Sequence, residues 1–314
     1  MTRISSVASS PLKLELAGVL PVVQLPFHES EEIDFDGLRR EIDWLFEQGA
    51  NGITMAMVSE TLRLTHTERK EVAAVICKHT AGNGASIISV GAESTFAALE
   101  LARHAESVGA AALMAIAPIS TPPLNDELID YFSKIIESVS IPVVVQDASG
   151  YMGRSIGIPS MVKLLDEFGP ERVLFKPEAS PLGPQLSALR DATRGRARVL
   201  EGSGGIALLD NYRRGLVGTM PGADLIAGIV ALWRALERGD DATAYRLSLP
   251  LSSLVSLQVG LDGFLAIEKH LLMRQGVFRN CLVRGPVSYK LDRETREEVD
   301  RLFDLLTSTV RDAA

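Results

Sequence analysis

The segment Val173-Leu174-Phe175-Lys176-Pro177-Glu178 places a lysine and a glutamate directly after a short apolar run. An apolar run without alternating polar residues is typical of a parallel strand that is covered by helices. Pro177 cannot donate a hydrogen bond to a neighbouring strand, so it predicts that the strand ends there. We therefore predict a buried strand with Lys176 near its C-terminal end.

Seven further runs of β-branched or apolar residues resemble this segment, and stretches with helical periodicity separate them. The runs occupy residues 20–23, 52–55, 87–90, 112–116, 142–145, 199–200 and 216–217, so the run at 173–175 is the sixth. Strands that alternate with helices in this way favour an α/β fold, a (β/α)8 TIM barrel. A doubly wound open sheet is the main competing fold.

The last part of the chain differs, because helical periodicity continues there without intervening strands. Helices are predicted at residues 225–238, 242–259, 264–275 and 293–306. We predict an N-terminal extension at 1–15, a catalytic barrel domain at 16–239 and a C-terminal three-helix appendage at 240–314. Pro250 predicts a kink or break within the second of these helices.

The composition argues against several classes of function. The net charge of −8 comes from interspersed acids and bases, and no basic run could neutralise a nucleic-acid backbone. No apolar run approaches the ~18 residues that span a bilayer, and residues 1–11 lack the apolar segment of a secretory signal. Cys77 and Cys281 lie far apart, which indicates a reduced, cytoplasmic protein, and the five histidines suggest no metal site.

Lys176 is the first candidate for chemistry. In a barrel the active site lies at the C-terminal ends of the strands, and apolar walls there disfavour the charged form of a lysine. A neutral amine can condense with a ketone to an imine, which stabilises a carbanion at the neighbouring carbon. The alternative is a structural lysine that reaches the rim or pairs with Glu178.

Glu178 follows Lys176 by two residues, so both side chains would lie on one face if the strand continued. The carboxylate could act as acid and base beside an imine, or it could serve only as a counter-ion. Other polar residues follow other predicted strands. The predicted substrate-binding residues are Ser59, Glu60, Gln146, Gly202, Ser203 and Thr219.

Taken together, these residues resemble the class I Schiff-base lyases typified by dihydrodipicolinate synthase and N-acetylneuraminate lyase. The resemblance covers residues 16–310 and implies a Schiff base on Lys176, at the end of the sixth strand. The family's Gly-Thr-Thr-Gly-Glu loop corresponds to Ala56-Met57-Val58-Ser59-Glu60. The tyrosine after the family's fifth strand is replaced by Gln146 and that after the fourth falls near Ser120, so the tyrosine–threonine–tyrosine proton relay is missing.

These departures are similar to one branch of the family, the 2-keto-3-deoxy-L-arabonate dehydratases of sugar-acid catabolism. The similarity lies at Ser59-Glu60, at Val145-Gln146-Asp147-Ala148, at Phe175-Lys176 with Glu178, and at Glu201-Gly202. It implies a hydro-lyase in which Lys176 forms the imine and Glu178 moves protons. Ser59 would hold the substrate carboxylate, and Gln146 and Ser203 would contact hydroxyl groups.

The resemblance also implies a small 2-oxo acid as substrate, no cofactor beyond the covalent imine, and a homotetramer. Three alternatives remain open at this point. The first is an aldolase that cleaves a 2-keto-3-deoxy acid to pyruvate and an aldehyde. The second is a deaminase of a related cyclic imine, and the third is a non-catalytic barrel that binds a small acid.

Overall fold

The computed structural model describes residues 15–150 and 153–313. The predicted N-terminal extension lies outside the described residues except for Glu15. Eight strands alternate with eight helices, and three more helices follow within the described part of the chain. The strands are β1 (Gly18–Val19), β2 (Gly52–Met55), β3 (Ala85–Ser89), β4 (Ala112–Ile116), β5 (Val143–Asp147), β6 (Val173–Pro177), β7 (Leu200–Glu201) and β8 (Gly218–Thr219).

The helices of the barrel lie between and after these strands. They are α1 (Phe35–Glu47), α2 (His66–Thr80), α3 (Thr95–Ser107), α4 (Asn125–Glu137), α5 (Ile158–Phe168), α6 (Leu182–Ala192), α7 (Leu208–Tyr212) and α8 (Ile226–Glu237). The C-terminal helices are α9 (Asp241–Val255), α10 (Gly260–Arg274) and α11 (Arg293–Ala313). Local sequence sets several helix starts. Thr65, for example, caps α2 by accepting from the N–H of Glu68, whose side chain accepts from the N–H of Thr65.

All strand pairs of the ring are parallel. Strands β2 to β6 form one sheet in chain order, and β1, β8 and β7 form another. Bridges between Val22 and Thr54 and between Phe175 and Val199 join the two sheets. The strands therefore follow one another around a closed (β/α)8 barrel, which confirms the predicted fold and excludes the open sheet.

The predicted apolar runs differ in position from the observed strands where those strands are shortest. The run at 20–23 follows β1 rather than forming it, because Pro21 cannot donate to a ladder and Val22 makes only isolated bridges. The eighth strand is Gly218–Thr219, two residues after the predicted run, and Gly218 pairs with Gly18. A side chain on Gly218 would lie 2.6 Å from the carbonyl oxygen of Gly18, so close packing of two backbones defines this strand.

Pro250 does not break the helix, although a kink or break was predicted there. Helix α9 continues on both sides of Pro250, and the proline ring is buried. Helix α9 packs against α8 and α11, and these tertiary contacts support a helix that local sequence alone would weaken. Among the described residues no single helix is long and apolar enough to cross a membrane. The pair α9 and α10 reaches that length and composition only together, with a bend of 117° between them.

The barrel interior explains how the strands present polar residues to one end. Val144 and Leu174 belong to the apolar cluster inside the barrel. Side chains on one face of a strand recur every second residue, so Gln146 and Lys176 are the next positions on that face. They are partners in the register of β5 and β6. The strand period thus places an amide and an amine side by side at the C-terminal end of the barrel.

Candidate active site

Lys176 lies next to the C-terminal residue of β6 and lines a cavity of about 290 Å³ at that end of the barrel. Its side chain is only 5% exposed, and its Nζ lies 3.2 Å from Oε1 of Glu178. The lysine is therefore buried among the barrel walls, as predicted, but it has a carboxylate in contact. A buried amine beside a proton acceptor, open to a small cavity, has the geometry that imine formation needs.

Glu178 is held from two directions. Its other oxygen, Oε2, accepts from Nε2 of Gln146 at 2.5 Å, and its main-chain N–H donates to the carbonyl of Asp147 at 2.8 Å. The side chain is 7% exposed and lines the same cavity. The structure thus joins Lys176, Glu178 and Gln146 in one contact group, in which Gln146 orients the carboxylate toward the amine.

Gly202 lies against this group, and only a glycine fits there. A side chain on it would come within 2.3 Å of both Oε1 of Glu178 and Cε of Lys176. Glu201 shapes the loop, because its carboxylate accepts from the N–H of Ser203 at 2.7 Å and from Oγ1 of Thr219 at 2.8 Å. Gly202 and Ser203 therefore line the cavity as predicted.

Ser203 reaches the cavity with a hydroxyl that is partly engaged. Its Oγ accepts from the N–H of Ala207 at 3.2 Å. This contact uses a lone pair of the oxygen and not its hydrogen, so the hydroxyl can still donate to a ligand.

Three of the predicted substrate-binding residues lie outside the cavity lining, which corrects their assignment. Ser59 is fully buried, where its hydroxyl donates to the carbonyl of Val23 at 2.6 Å and accepts from the N–H of Ala56 at 3.1 Å. Thr219 is also fully buried and is turned toward Glu201. Both hydroxyls fix loops, because their hydrogen-bonding capacity is used inside the protein.

Glu60 is the third residue outside the lining. Its Oε1 accepts from Nζ of Lys269, and its Oε2 accepts from the N–H of Arg284 at 3.0 Å. Glu60 has a left-handed backbone, with φ of 54°, at the junction of two short 3-10 turns. The residue therefore joins the loop after β2 to the C-terminal helices instead of binding a ligand.

The structure also brings residues to the cavity that the sequence had not indicated. Met57 and Val58, in place of Ser59, line it from the loop after β2. Their positions match the paired threonines of the family loop, so that correspondence could have indicated them. Gln258 and Phe264, from α10 and the residues before it, complete the wall. Gln258 could not have been found, because nothing in a helical pattern shows which turn folds back onto the barrel.

Two buried carboxyl groups, Asp224 and Glu268, lie against Gly222, which also lines the cavity, and a third buried carboxyl group, Glu41, acts on Glu268. Burial raises the pKa of Asp224 to about 7. Burial, with the nearby charges of Asp224 and Glu41, raises the pKa of Glu268 well above its usual range, and burial does the same for Glu41. One oxygen of Glu41 and one of Glu268 have no hydrogen-bond partner among the described residues. This end of the cavity is therefore backed by acidic groups.

Metal ligation has no candidate in the described part of the chain, where no group of three or more histidine, cysteine, aspartate or glutamate side chains could hold an ion. The polar side chains among the described lining residues are Gln146, Lys176, Glu178, Ser203 and Gln258. The titratable side chains among these described lining residues are Lys176 and Glu178.

Comparisons with known proteins agree with this geometry. The model of the Dihydrodipicolinate synthetase family matches residues 15–305. The chain is 27% identical to a 4-hydroxy-tetrahydrodipicolinate synthase of Bartonella quintana over 290 residues, which cover 91% of this chain and 96% of that one. It is also 27% identical to an L-2-keto-3-deoxyarabonate dehydratase of Azospirillum brasilense over 293 residues, which cover 90% and 92% of the two chains.

Solved structures give the same result for the fold. The crystal structure of dihydrodipicolinate synthase from Rhodopseudomonas palustris superposes with a TM-score of 0.84 at 25% identity, and covers 92% of this chain and 97% of that one. The predicted family resemblance is thereby confirmed. Overall identity does not separate synthase from dehydratase, since relatives of both names match equally well.

Proposed function

Because the chain belongs to the dihydrodipicolinate synthetase family and is a lyase, we propose that Lys176 forms a Schiff base with a small 2-oxo acid. We further propose that the reaction is the dehydration of a 2-keto-3-deoxy sugar acid, as in the arabonate dehydratase. The observation that carries this proposal is the contact group of Lys176, Glu178 and Gln146 on the cavity wall. No cofactor besides the covalent imine is required.

The reaction begins with attack of the neutral Lys176 amine on C2 of the substrate. Glu178, 3.2 Å from Nζ, can take the proton that the amine loses. Water leaves as the imine forms, and the protonated imine withdraws electrons from C3. Glu178, which has by then returned the amine proton to the departing water, takes a C3 proton to give an enamine.

The enamine expels the C4 hydroxyl as a second water molecule. The same carboxyl group, now protonated, can supply the proton to this hydroxyl. Hydrolysis of the imine consumes one water molecule and frees Lys176. The net change is the loss of one water molecule, and the carbon chain stays intact.

The cavity supports a hydroxylated substrate with a single acid group. Lys176 is the only cationic side chain among the described lining residues, and it must be neutral to react. A second carboxylate on the substrate would therefore lack a cationic partner there. Hydroxyl groups, by contrast, find partners in Ser203 and Gln258.

The substrate carboxylate needs a partner other than Ser59. The main-chain N–H groups of Met57 and Val58 have no acceptor among the hydrogen bonds of the described residues, and both residues line the cavity. We assign the carboxylate to these N–H groups, since a carboxylate accepts well from main-chain donors. This replaces the role that the sequence had suggested for Ser59.

Aldol cleavage is the second candidate reaction, because it uses the same imine and the family relatives include synthases. Product analysis separates the two. Incubated with 4,5-dihydroxy-2-oxopentanoate and followed by NMR, the protein should give a dehydrated product that keeps every carbon. Release of stoichiometric pyruvate would replace the dehydratase assignment with the aldolase.

Several expectations from sequence remain predictions. These are a role in sugar-acid catabolism, a cytoplasmic location and a homotetrameric assembly. The assembly is measured directly by light scattering of the purified protein.

A further inference from the structure

We infer that Gln258 selects the tail of the substrate by binding one of its hydroxyl groups. The buried carboxylate of Asp224 orients the amide of Gln258. This contact favours 2-oxo acids with a neutral, hydroxylated tail over acids with an apolar tail. This inference rests on the proposed function, since it takes the ligand to be a 2-oxo acid held at Lys176. It adds a specificity-determining residue from the C-terminal helices, outside the barrel strands that carry the chemistry.

The contact between Gln258 and Asp224 fixes the position of the amide. Nε2 of Gln258 donates to Oδ2 of Asp224 at 2.9 Å, and Gln258 lines the cavity while Asp224 is 3% exposed behind it. An amide has two N–H hydrogens and a carbonyl oxygen. With one hydrogen committed to Asp224, a second hydrogen and the oxygen remain to bind a hydroxyl.

The other polar side chains of the wall are wholly or partly engaged with other partners. Gln146 donates to Glu178, and Glu178 contacts Lys176. Ser203 already accepts from the N–H of Ala207. The described lining around Gln258 is apolar and includes Val255, Leu261 and Phe264. The amide of Gln258 is therefore the polar group there that can form a hydrogen bond with a substrate hydroxyl.

The acids behind Gly222 make this end of the cavity unsuitable for a second anion. A side chain on Gly222 would come within 2.5 Å of Oε1 of Glu268 and 3.1 Å of Oδ1 of Asp224, so both acids lie directly against this residue of the cavity lining. The nearest buried cation, Lys269, is engaged with Glu60 and the carbonyl of Leu282. An anion placed there would further oppose the ionisation of Asp224 and Glu268 and would lack a cationic partner, whereas a neutral hydroxyl meets neither cost.

The test compares two glutamines that both donate to Asp224. Gln258 binds its carboxylate and lines the cavity, whereas Gln275 binds its main-chain carbonyl at 2.9 Å and is not part of the lining. Borohydride trapping measures the concentration of each of two probes, 4,5-dihydroxy-2-oxopentanoate and 2-oxopentanoate, that gives half-maximal labelling. Wild-type protein should prefer the hydroxylated acid.

In Gln258→Leu, the concentration of the hydroxylated acid that gives half-maximal trapping should rise about five- to tenfold, which corresponds to the loss of one hydrogen bond. The corresponding concentration of 2-oxopentanoate should stay within about twofold of the wild-type value. Gln275→Leu should leave the preference between the two acids unchanged. Equal weakening of both acids, or an unchanged preference in Gln258→Leu, would overturn the inference. If neither acid is trapped on Lys176 of the wild-type protein, the proposed function fails, and this inference with it.

A second pair of variants tests the positioning role of Asp224. Asp224→Leu removes the acceptor, so the preference for the hydroxylated acid should fall as far as in Gln258→Leu. Asp224→Asn keeps an acceptor oxygen in the same place and should restore most of that preference. If the preference fell as far in Asp224→Asn as in Asp224→Leu, while trapping of 2-oxopentanoate was retained in both, Asp224 would have no orienting role.

Discussion

Two buried lysine–glutamate pairs lie in different surroundings in this molecule. In the first, Lys176 and Glu178 lie 3.2 Å apart with side chains 5% and 7% exposed, and both line the cavity. In the second, Lys269 contacts Glu60 with side chains 1% and 0% exposed, and neither lines the cavity. The residue types are identical, so chemistry must follow from the surroundings.

The surroundings differ in how completely each lysine is used. Lys269 also donates to the carbonyl of Leu282 at 2.7 Å and lies 4.6 Å from the centre of the Phe27 ring. Glu60 accepts in addition from the N–H of Arg284. This pair joins the loop after β2 to α10 and leaves no room for a ligand.

Lys176 has the opposite arrangement. Its carboxylate partner comes from the same chain segment two residues away, and Gly202 keeps space open beside both side chains. A buried pair contributes to catalysis only where one side faces a cavity that a substrate can enter. Four substitutions test this contrast, in descending order of expected effect.

Replacing Lys176 removes the amine that forms the imine. In Lys176→Met we expect loss of borohydride trapping and a fall in turnover of at least about a thousandfold, with the fold retained. Peptide mass mapping after trapping with pyruvate measures this. The matched control is Lys163→Met, an exposed lysine on α5, and label that persists in Lys176→Met would refute the assignment.

Replacing Lys269 tests the structural pair. Lys269→Met removes the closest cation of buried Glu60 and leaves only Arg63, whose Nη1 lies 3.8 Å from Oε2, so the free energy of unfolding should fall by about 3 kcal/mol. Urea denaturation measures it. Trapping per folded molecule should be preserved, and adding Glu60→Gln should recover part of the stability. Loss of trapping with unchanged stability would show that the proposed roles of the two pairs are exchanged.

Glu178→Gln separates imine formation from proton transfer. The variant can still contact Lys176 but cannot exchange protons, so trapping should survive while turnover falls about 10²- to 10³-fold. Single-turnover kinetics with 4,5-dihydroxy-2-oxopentanoate measures the fall. Glu60→Gln is the control and should alter stability rather than turnover. Unchanged turnover in Glu178→Gln would reduce this residue to a counter-ion.

The smallest effect concerns the acids behind the cavity. Because burial raises the pKa of Asp224 to about 7 from 3.8, the folded protein binds this proton more tightly than the unfolded chain. Its stabilising contribution is therefore full below about pH 4 and is lost as the pH rises to about 7.

Asp224→Asn carries no proton to lose. Its free energy of unfolding should therefore fall less than that of the wild type between pH 4 and pH 8. Glu41 on α1, Glu268 on α10 and Lys269 remain in both proteins, so the difference between the two curves measures Asp224 together with its effect on the pKa of Glu268. Parallel curves would show that Asp224 titrates normally.

Much of the fold could be predicted from local pattern. Runs of buried apolar residues marked β2 and β4 at their observed limits, because strands covered on both faces need such runs. Strands β1 and β8 were displaced because Gly18 and Gly218 define them by close backbone approach. A glycine carries no apolar signal, so pattern alone could not place them.

The sequence by itself determined the barrel, the family and the position of Lys176 at the end of the sixth strand. Strand spacing and a two-residue side-chain period are local properties that a single segment carries. It also placed Gln146, Glu178 and Ser203 beside strand ends. These are the predicted residues whose side chains the structure brings to one cavity.

Only the tertiary structure decided which polar residues face that cavity and which face the protein. Ser59 and Glu60 were predicted to follow a strand just as Gln146 was, yet their side chains turn toward Val23 and Lys269. Gln258 reaches the cavity from helices distant in sequence. The physical reason is that a polar group's role depends on whether its hydrogen bonds are satisfied inside the fold, and partners distant in sequence settle that.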